Sequence, residues 1–398
     1  STSLVVYSLL LLLAGLTFWV LLRAWYSENG AERPWMILAI VMALGFGNHL
    51  TYFTLLPGIA WLYFAKFGFN RAAFIRIGKM LGIFTVLLAA HYSYLPLRAA
   101  SDPNLNWCNP ETWPEFFHHV SGRQFSVWLF TGPEAFKEML GNFLTALPGN
   151  LGYTILLPMP FGVYYGWKVR RNETIATLLI LLTNTLYVSN YRIKDLEPYF
   201  IPTLLVLSLF DVIGLRNFWN KVRSTSNLQP ALIGFVAISL ALPLALNQPR
   251  ANQRGVWMYE DYARAALNSL PENALVLSRS WDTFISGAYY LQETEGLRPD
   301  VDIIGYNMLR DRHWYPEQVR VNAPATAERM QMQLDRWDKV IGDFDLKGIV
   351  NGRELSESFT DLFYMFLAEF RHRPVYLGWQ VFPDAMQSTG LPMPEEIT

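Results

Sequence analysis

LVVYSLLLLLAGLTFWVLLR, residues 4–23, meets no charged side chain until Arg23 closes it. At the rise of an α-helix this run is long enough to cross a hydrocarbon core of about 30 Å, so it is predicted to be a membrane span. Nearly all the other long apolar runs also lie before Asn247. Residues 35–66 are too long for one straight helix and are broken by Gly45-Phe46-Gly47-Asn48-His49. Two short helices meeting at a polar elbow are expected there, because irregular backbone at membrane depth needs a cavity or protein cover. Further spans are expected at residues 77–96, 148–167, 174–190, 198–214 and 229–247. In all, roughly seven or eight apolar segments make a polytopic α-helical membrane bundle over residues 1–247.

The short loops sort by charge. Lys66, Arg71, Arg76 and Lys79 fall in one, Lys168, Arg170 and Arg171 in a second, Arg216, Lys221 and Arg223 in a third. By the positive-inside rule these loops are expected to face the cytoplasm. Alternation then puts the His49 elbow, the stretch from Arg98 to Asn142, the loop from Tyr191 to Glu197 and everything after Asn247 on the outer side. The unusual polar sequence collects on one face, where a site at the membrane surface is expected.

Residues 99–142 are too polar to span and too aromatic for a bare linker. Trp107, Trp113, Phe116, Phe117, Phe125, Trp128 and Phe130 are interleaved with Asp, Asn, His and Arg, as in helices lying along an interface. His118 and His119 are adjacent and so point about 100° apart on a helix, which argues against a shared metal without ligands from elsewhere; no metal is expected. The loop Tyr191-Arg192-Ile193-Lys194-Asp195-Leu196-Glu197 reads either as a solvated hairpin or as half of a clamp. In the second reading Arg192 or Lys194, with Arg98, would hold a lipid-linked phosphate, which suits the planar fork of arginine. Asp195 and Glu197 sit so close to cations that pairing is the simpler expectation than catalysis.

After Gln248 the pattern changes. An amphipathic helix at Tyr259–Leu270, a strand at Ala274–Ser278, a helix at Trp281–Gln292 and a strand at Asp300–Tyr306 alternate. Helices at Ala325–Ile341 and Glu354–Phe370 and a strand at Val375–Trp379 follow. Residues 248–398 are therefore expected to form a soluble α/β domain with a parallel sheet, outside the cytoplasm. Asp282 stands where such sheets often bind ligands, though a helix cap explains it equally well. No glycine-rich phosphate loop opens a helix, so neither a nucleotide site nor another cofactor is expected.

A net charge of −1 supplies no basic field for nucleic acid. The single Cys108 allows no intrachain disulfide and no all-cysteine zinc site. Few ionisable residues fall inside the spans, which disfavours a channel or proton-coupled transporter. The chain opens at Ser1 without Met or a basic leader, and is expected to be a piece of something longer.

Several motifs, in order, resemble a bacterial multi-spanning family formerly of unknown function whose eukaryotic relatives are transmembrane protein O-mannosyltransferases. They are Gly47-Asn48-His49-Leu50-Thr51, Leu95-Pro96-Leu97-Arg98, Asp102-Pro103-Asn104-Leu105-Asn106-Trp107, His119-Val120-Ser121-Gly122-Arg123-Gln124-Phe125 and Asp195-Leu196-Glu197-Pro198-Tyr199-Phe200. Further along stand Glu260-Asp261-Tyr262-Ala263, Asp282-Thr283-Phe284 and Gly296-Leu297-Arg298-Pro299-Asp300. The resemblance implies a GT-C type glycosyltransferase of the bacterial inner membrane. Such an enzyme moves a sugar from a polyprenyl phosphate to an extracytoplasmic acceptor, protein O-mannosylation being the family's eukaryotic chemistry. It further implies that Arg98, Arg123 and Arg192 hold the donor phosphate, and that His49, His119, Gln124, Asp195 and Glu197 contact sugar or acceptor. The acidic residue that acts as the base in such enzymes usually lies in a first outer loop, before the point where this chain begins, so the catalytic residue is unassigned here. Val5 and Cys108 stand where relatives tend to carry Glu and Gly. The alternative expectation is a non-catalytic membrane subunit that uses the same scaffold inside a larger complex.

Overall fold

The computed structural model describes residues 6–28, 31–153, 156–193, 195–223, 227–348 and 351–381; Val5 and Lys194 lie outside them. In chain order the first helices are α1 (Tyr7–Trp25), α2 (Arg33–Asn48), α3 (Leu56–Phe67), α4 (Arg71–Tyr92), α5 (Tyr94–Ala99) and α6 (Trp113–Val120). Then come α7 (Pro133–Leu151), α8 (Met159–Val169), α9 (Arg171–Ser189), α10 (Ile201–Val222) and α11 (Gln229–Ala251). The chain divides into two compact units, Ser1–Ser93 with Phe125–Arg254 and Tyr94–Gln124 with Gly255–Thr398.

Within the first unit the long apolar runs become helices because their carbonyls and amides can be satisfied only internally in lipid. Among the described residues, four helices are long and apolar enough to cross a membrane: Tyr7–Trp25, Arg71–Ala99, Glu197–Val222 and Gln229–Pro249. The break at residues 45–49 is where the sequence places it. α2 stops at Asn48, His49 is extended, and its ring nitrogen accepts the amide of Thr51 at 3.3 Å to start a 3-10 turn, Leu50–Leu55, that leads into α3. The expected span at 148–167 needs correction. Gly152 turns left-handed at φ 84° and ends α7, and α8 starts only after Pro158, so the apolar run is cut in two.

Basic residues from two of the three charged loops meet the end of α1 and the turn that follows it. Lys66 donates to the carbonyls of Ala24, Trp25 and Ser27, closing the C-terminus of α1. Lys79 pairs with Glu32 at 2.8 Å, and Arg170 donates to the Tyr26 hydroxyl. The core beneath is built on Trp35, Tyr52, Tyr63 and Phe210, with Trp35 edge-on to Tyr63 at 5.0 Å.

The second unit adds α12 (Met258–Ser269), α13 (Ser286–Glu295), α14 (Tyr306–Asp311), α15 (Tyr315–Asn322), α16 (Pro324–Arg329), α17 (Gln331–Lys347) and α18 (Gly352–Ala368). Its strands β1 (Leu275–Ser278), β2 (Asp302–Gly305) and β3 (Val375–Leu377) form a parallel sheet in the order β2-β1-β3. Parallel pairing is what the alternation of strand and helix predicts. β1 is buried on both faces, consistent with its unbroken Leu275-Val276-Leu277 run. The expected helix at Ala325–Ile341 is two helices, α16 and α17, interrupted at Met330.

Residues 94–124, left with the membrane bundle by the sequence reading, pack with this unit instead. Trp107 sits 5.4 Å from Trp281 and 5.2 Å from Trp314, and the Gln318 side chain accepts the Asn106 amide at 2.7 Å. Tertiary contacts between segments some two hundred positions apart leave no local pattern in the sequence. The motif around Arg298 is likewise structural: its guanidinium donates to the carbonyls of Leu267, Leu270 and Pro271 and to both Asp300 oxygens. It caps α12 and holds the Asp300 carboxyl well below the usual carboxylate range.

Candidate functional site

The loop after α9 is fastened to the segment before α7. The Phe130 amide donates to the Asn190 carbonyl at 2.8 Å and the Arg192 amide to the Trp128 carbonyl at 2.9 Å, around an antiparallel bridge between Leu129 and Tyr191. Phe143 of α7 stacks on Phe200 at 3.9 Å and 14°. Between α7 and the loop lies a cleft of about 570 Å³. Its polar lining comes from Glu138, Asn142, Asn150, Arg192 and Glu197, and its apolar wall from Met139, Phe143, Leu196 and Phe200 among others. Arg192 lies 3.3 Å from Glu138, both side chains at least half exposed. Such a pair is worth little, so an anion of higher charge can displace the carboxylate. Glu197 and Asp195 are exposed.

The His49 elbow joins the same region of the first unit. The His49 ring meets Tyr199 edge-on at 4.7 Å and lies 5.9 Å from Tyr7; Tyr199 in turn is 5.5 Å from Tyr191, the neighbour of Arg192. Asn184 ties elbow and loop together from α9. Fully buried, it donates to the Thr54 hydroxyl and the Tyr199 carbonyl, each at 3.2 Å, and accepts the Thr203 hydroxyl at 2.7 Å and the Thr203 amide at 3.3 Å. Asn184→Leu keeps the bulk and strands these partners. The expected cost is about 1–3 kcal/mol of stability in detergent, read from thermal unfolding, with a smaller loss for Thr203→Val. Equal stability of Asn184→Leu and the parent would show that the network holds nothing together.

The remaining predicted site residues belong to the second unit. Arg98 donates to the Ser101 hydroxyl at 3.3 Å, and Arg123 to the Leu346 carbonyl at 3.2 Å. His119 is half-buried, and burial, then the neighbouring His118, moves its imidazole below the usual range. Gln124 lies in the 3-10 turn Arg123–Trp128; its side chain is outside the described residues. Cys108 is buried, and that burial pushes its thiol up to about 12, which makes it an inert packing residue. The sequence reading missed one cluster altogether. His118, His313 and Asp345 each bring one ligand atom within 4.8 Å of the others, and they are the described residues that could hold a metal. Their separation along the chain, with no short motif, explains why only His118 drew notice.

Comparison with known proteins bears on both units. The family model for the N-terminal domain of protein O-mannosyl-transferase TMEM260 matches residues 1–72, and that for TMEM260-associated domain 2 matches residues 259–345. The chain is a relative of the protein O-mannosyltransferases of the GT-C superfamily. The chain is 28% identical to the mouse protein O-mannosyl-transferase TMEM260 over 217 residues, 54% of the chain and 25% of the mouse protein. It is 24% identical over 254 residues to undecaprenyl phosphate-alpha-4-amino-4-deoxy-L-arabinose arabinosyl transferase 1 of Pseudomonas fluorescens, 59% of the chain and 43% of that enzyme. The chain thus spans less than half the length of either relative. No solved structure matches it.

Proposed function

We propose that this chain is part of a membrane glycosyltransferase that takes a sugar from a polyprenyl-phosphate donor and passes it to an acceptor outside the cytoplasm, with protein O-mannosylation as its specific chemistry. The observation that carries the reading is the cleft between α7 and the 191–200 loop, with Arg192 and Glu197 in a polar lining against an apolar wall. A polyprenyl phosphate needs both: a cation for the head and an apolar flank for the isoprenoid. The names of the two relatives support it, one being a protein O-mannosyl-transferase and the other a transferase named for undecaprenyl phosphate.

In this reading an acceptor hydroxyl attacks the anomeric carbon as the bond to the phosphate oxygen breaks, and its proton passes to a base that is not assigned. Arg192 would stabilise the charge growing on the departing phosphate, and His49, Asp195 and Glu197 would contact sugar or acceptor; Arg98 and Arg123, and His119 and Gln124, carry the same proposed roles from the resemblance alone. The membrane would be the bacterial inner membrane, with residues 248–398 outside the cytoplasm. The acceptor, the bilayer and any larger membrane complex would be the chain's partners.

The test is transfer by the full-length protein from a radiolabelled polyprenyl-phosphate sugar. Arg192→Ala and Arg98→Ala are each expected to lower kcat/KM at least about tenfold, the worth of a charge-assisted contact. Arg192→Lys should retain part of the activity, because a point charge replaces a fork. Turnover undiminished in both alanine variants would overturn the phosphate assignment, and no transfer by the parent with any polyprenyl-phosphate sugar would favour a non-catalytic subunit.

A further inference from the structure

We propose that the second unit contains a binding site for a divalent transition-metal ion of the zinc class, formed by His118, His313 and Asp345. The three come from separate parts of the chain. His118 lies near the end of α6, which opens with a capping box between Thr112 and Glu115 that fixes its first turn. His313 lies between α14 and α15, and Asp345 in the last turn of α17. Both imidazoles are 5% exposed, and the Asp345 side chain is 14% exposed.

The geometry points inward to one place. One Asp345 oxygen lies 2.7 Å from His313 Nδ1 and the other 3.5 Å from His118 Nε2, with the two rings 5.2 Å apart at 84°. Two nitrogens and a carboxylate thus converge within 4.8 Å. Ligands about 2.0–2.1 Å from a tetrahedral zinc ion stand a little over 3 Å from each other, so the spacing needs only small adjustment. Imidazole and carboxylate are ligands that suit zinc, and three of them leave a fourth position for water or a substrate group.

One carboxylate facing two buried imidazoles separates this cluster from an ordinary Asp–His pair. His118 Nδ1 and His313 Nε2 are buried with no hydrogen-bond partner among the described residues. An ion would take the other two ring nitrogens, His118 Nε2 and His313 Nδ1, which already face the Asp345 carboxylate, and would leave these as they are. The adjacency of His118 and His119 is not what makes the site. His118 finds its co-ligands about two hundred residues away, at 313 and 345, and His119 is not one of them.

The site is tested on the detergent-purified chain, stripped with a chelator, desalted and titrated with Zn²⁺ alone. The expected result is one Zn²⁺ retained per chain by elemental analysis, with a rise in the temperature of unfolding. Co²⁺ in its place should give the visible band of a low-coordinate nitrogen and oxygen site. Asp345→Asn, close in shape to the parent, and His313→Gln are each expected to weaken binding at least about tenfold. His119→Gln should leave it unchanged. Should either ligand variant fail to fold, the cobalt spectrum of the parent still decides, since nitrogen ligation gives that band and adventitious surface binding does not. Absence of stoichiometric metal in the parent, or affinity unaltered in both folded ligand variants, would overturn the proposal and leave a hydrogen-bonded His–Asp–His cluster. None of these readouts depends on glycosyl transfer.

Discussion

Gly162→Leu is expected to prevent α8 and α10 from packing and to leave the chain unstable in detergent. A Cβ at Gly162 would lie 1.7 Å from the Phe210 carbonyl oxygen, and one at Gly214 would lie 2.1 Å from the Pro158 carbonyl oxygen. The obstacle in both cases is backbone, which cannot rotate aside as a side chain would. In lipid there is no hydrophobic gain from pressing two apolar helices together, so close packing through small residues carries their association. Even Gly162→Ala should cost about 3 kcal/mol, the upper end for overpacked sites, and the leucine more. Gly82→Ala in α4 is the control, because its Cβ would meet nothing within 4 Å. It should be neutral or slightly stabilising through helix propensity. Thermal unfolding and monodispersity on size exclusion measure the difference, and equal behaviour of the two alanine variants would refute the account of this contact.

In the second unit the largest loss is expected from Trp337→Ala. Trp337 is 1% exposed, its indole nitrogen donates to the Leu309 carbonyl at 2.7 Å, and its ring lies 5.0 Å from that of Phe359. Removing it opens a large cavity among α14, α17 and α18 and strands a buried carbonyl. A cost of about 3–5 kcal/mol follows, a large fraction of the stability of an ordinary domain. Trp337→Phe keeps most of the bulk and loses the hydrogen bond, so about 1 kcal/mol or somewhat more is expected. Urea unfolding followed by tyrosine and tryptophan fluorescence reads both, and a midpoint unmoved by the alanine would show that the ring is not part of a cooperative core.

How much was legible in the sequence varies with the range of the interaction that decides it. The break at His49 was readable because glycine, asparagine and histidine at a helix end act within a few residues. The parallel sheet was readable because strand and helix alternate at short range and parallel strands need the crossover that a helix supplies. The span at 148–167 was misread because hydropathy averages across a left-handed Gly152 and Pro158, which decide the backbone and barely alter the average. Arg192 and Glu197 were legible as candidates from their loop, but the third polar side of their cleft, Glu138 and Asn142 of α7, was not.

By itself, then, the sequence determined an apolar helical first part, a mixed α/β second part and the motifs of a glycosyltransferase relative, since hydropathy and period act locally along the chain. Only the tertiary structure decided that residues 94–124 pack with the second unit, that Asn184 links the elbow to the loop, and that His118 meets His313 and Asp345. The physical reason is that such contacts join side chains many tens of residues apart, and their pairing is fixed by how helices pack rather than by any pattern in the segments that supply them.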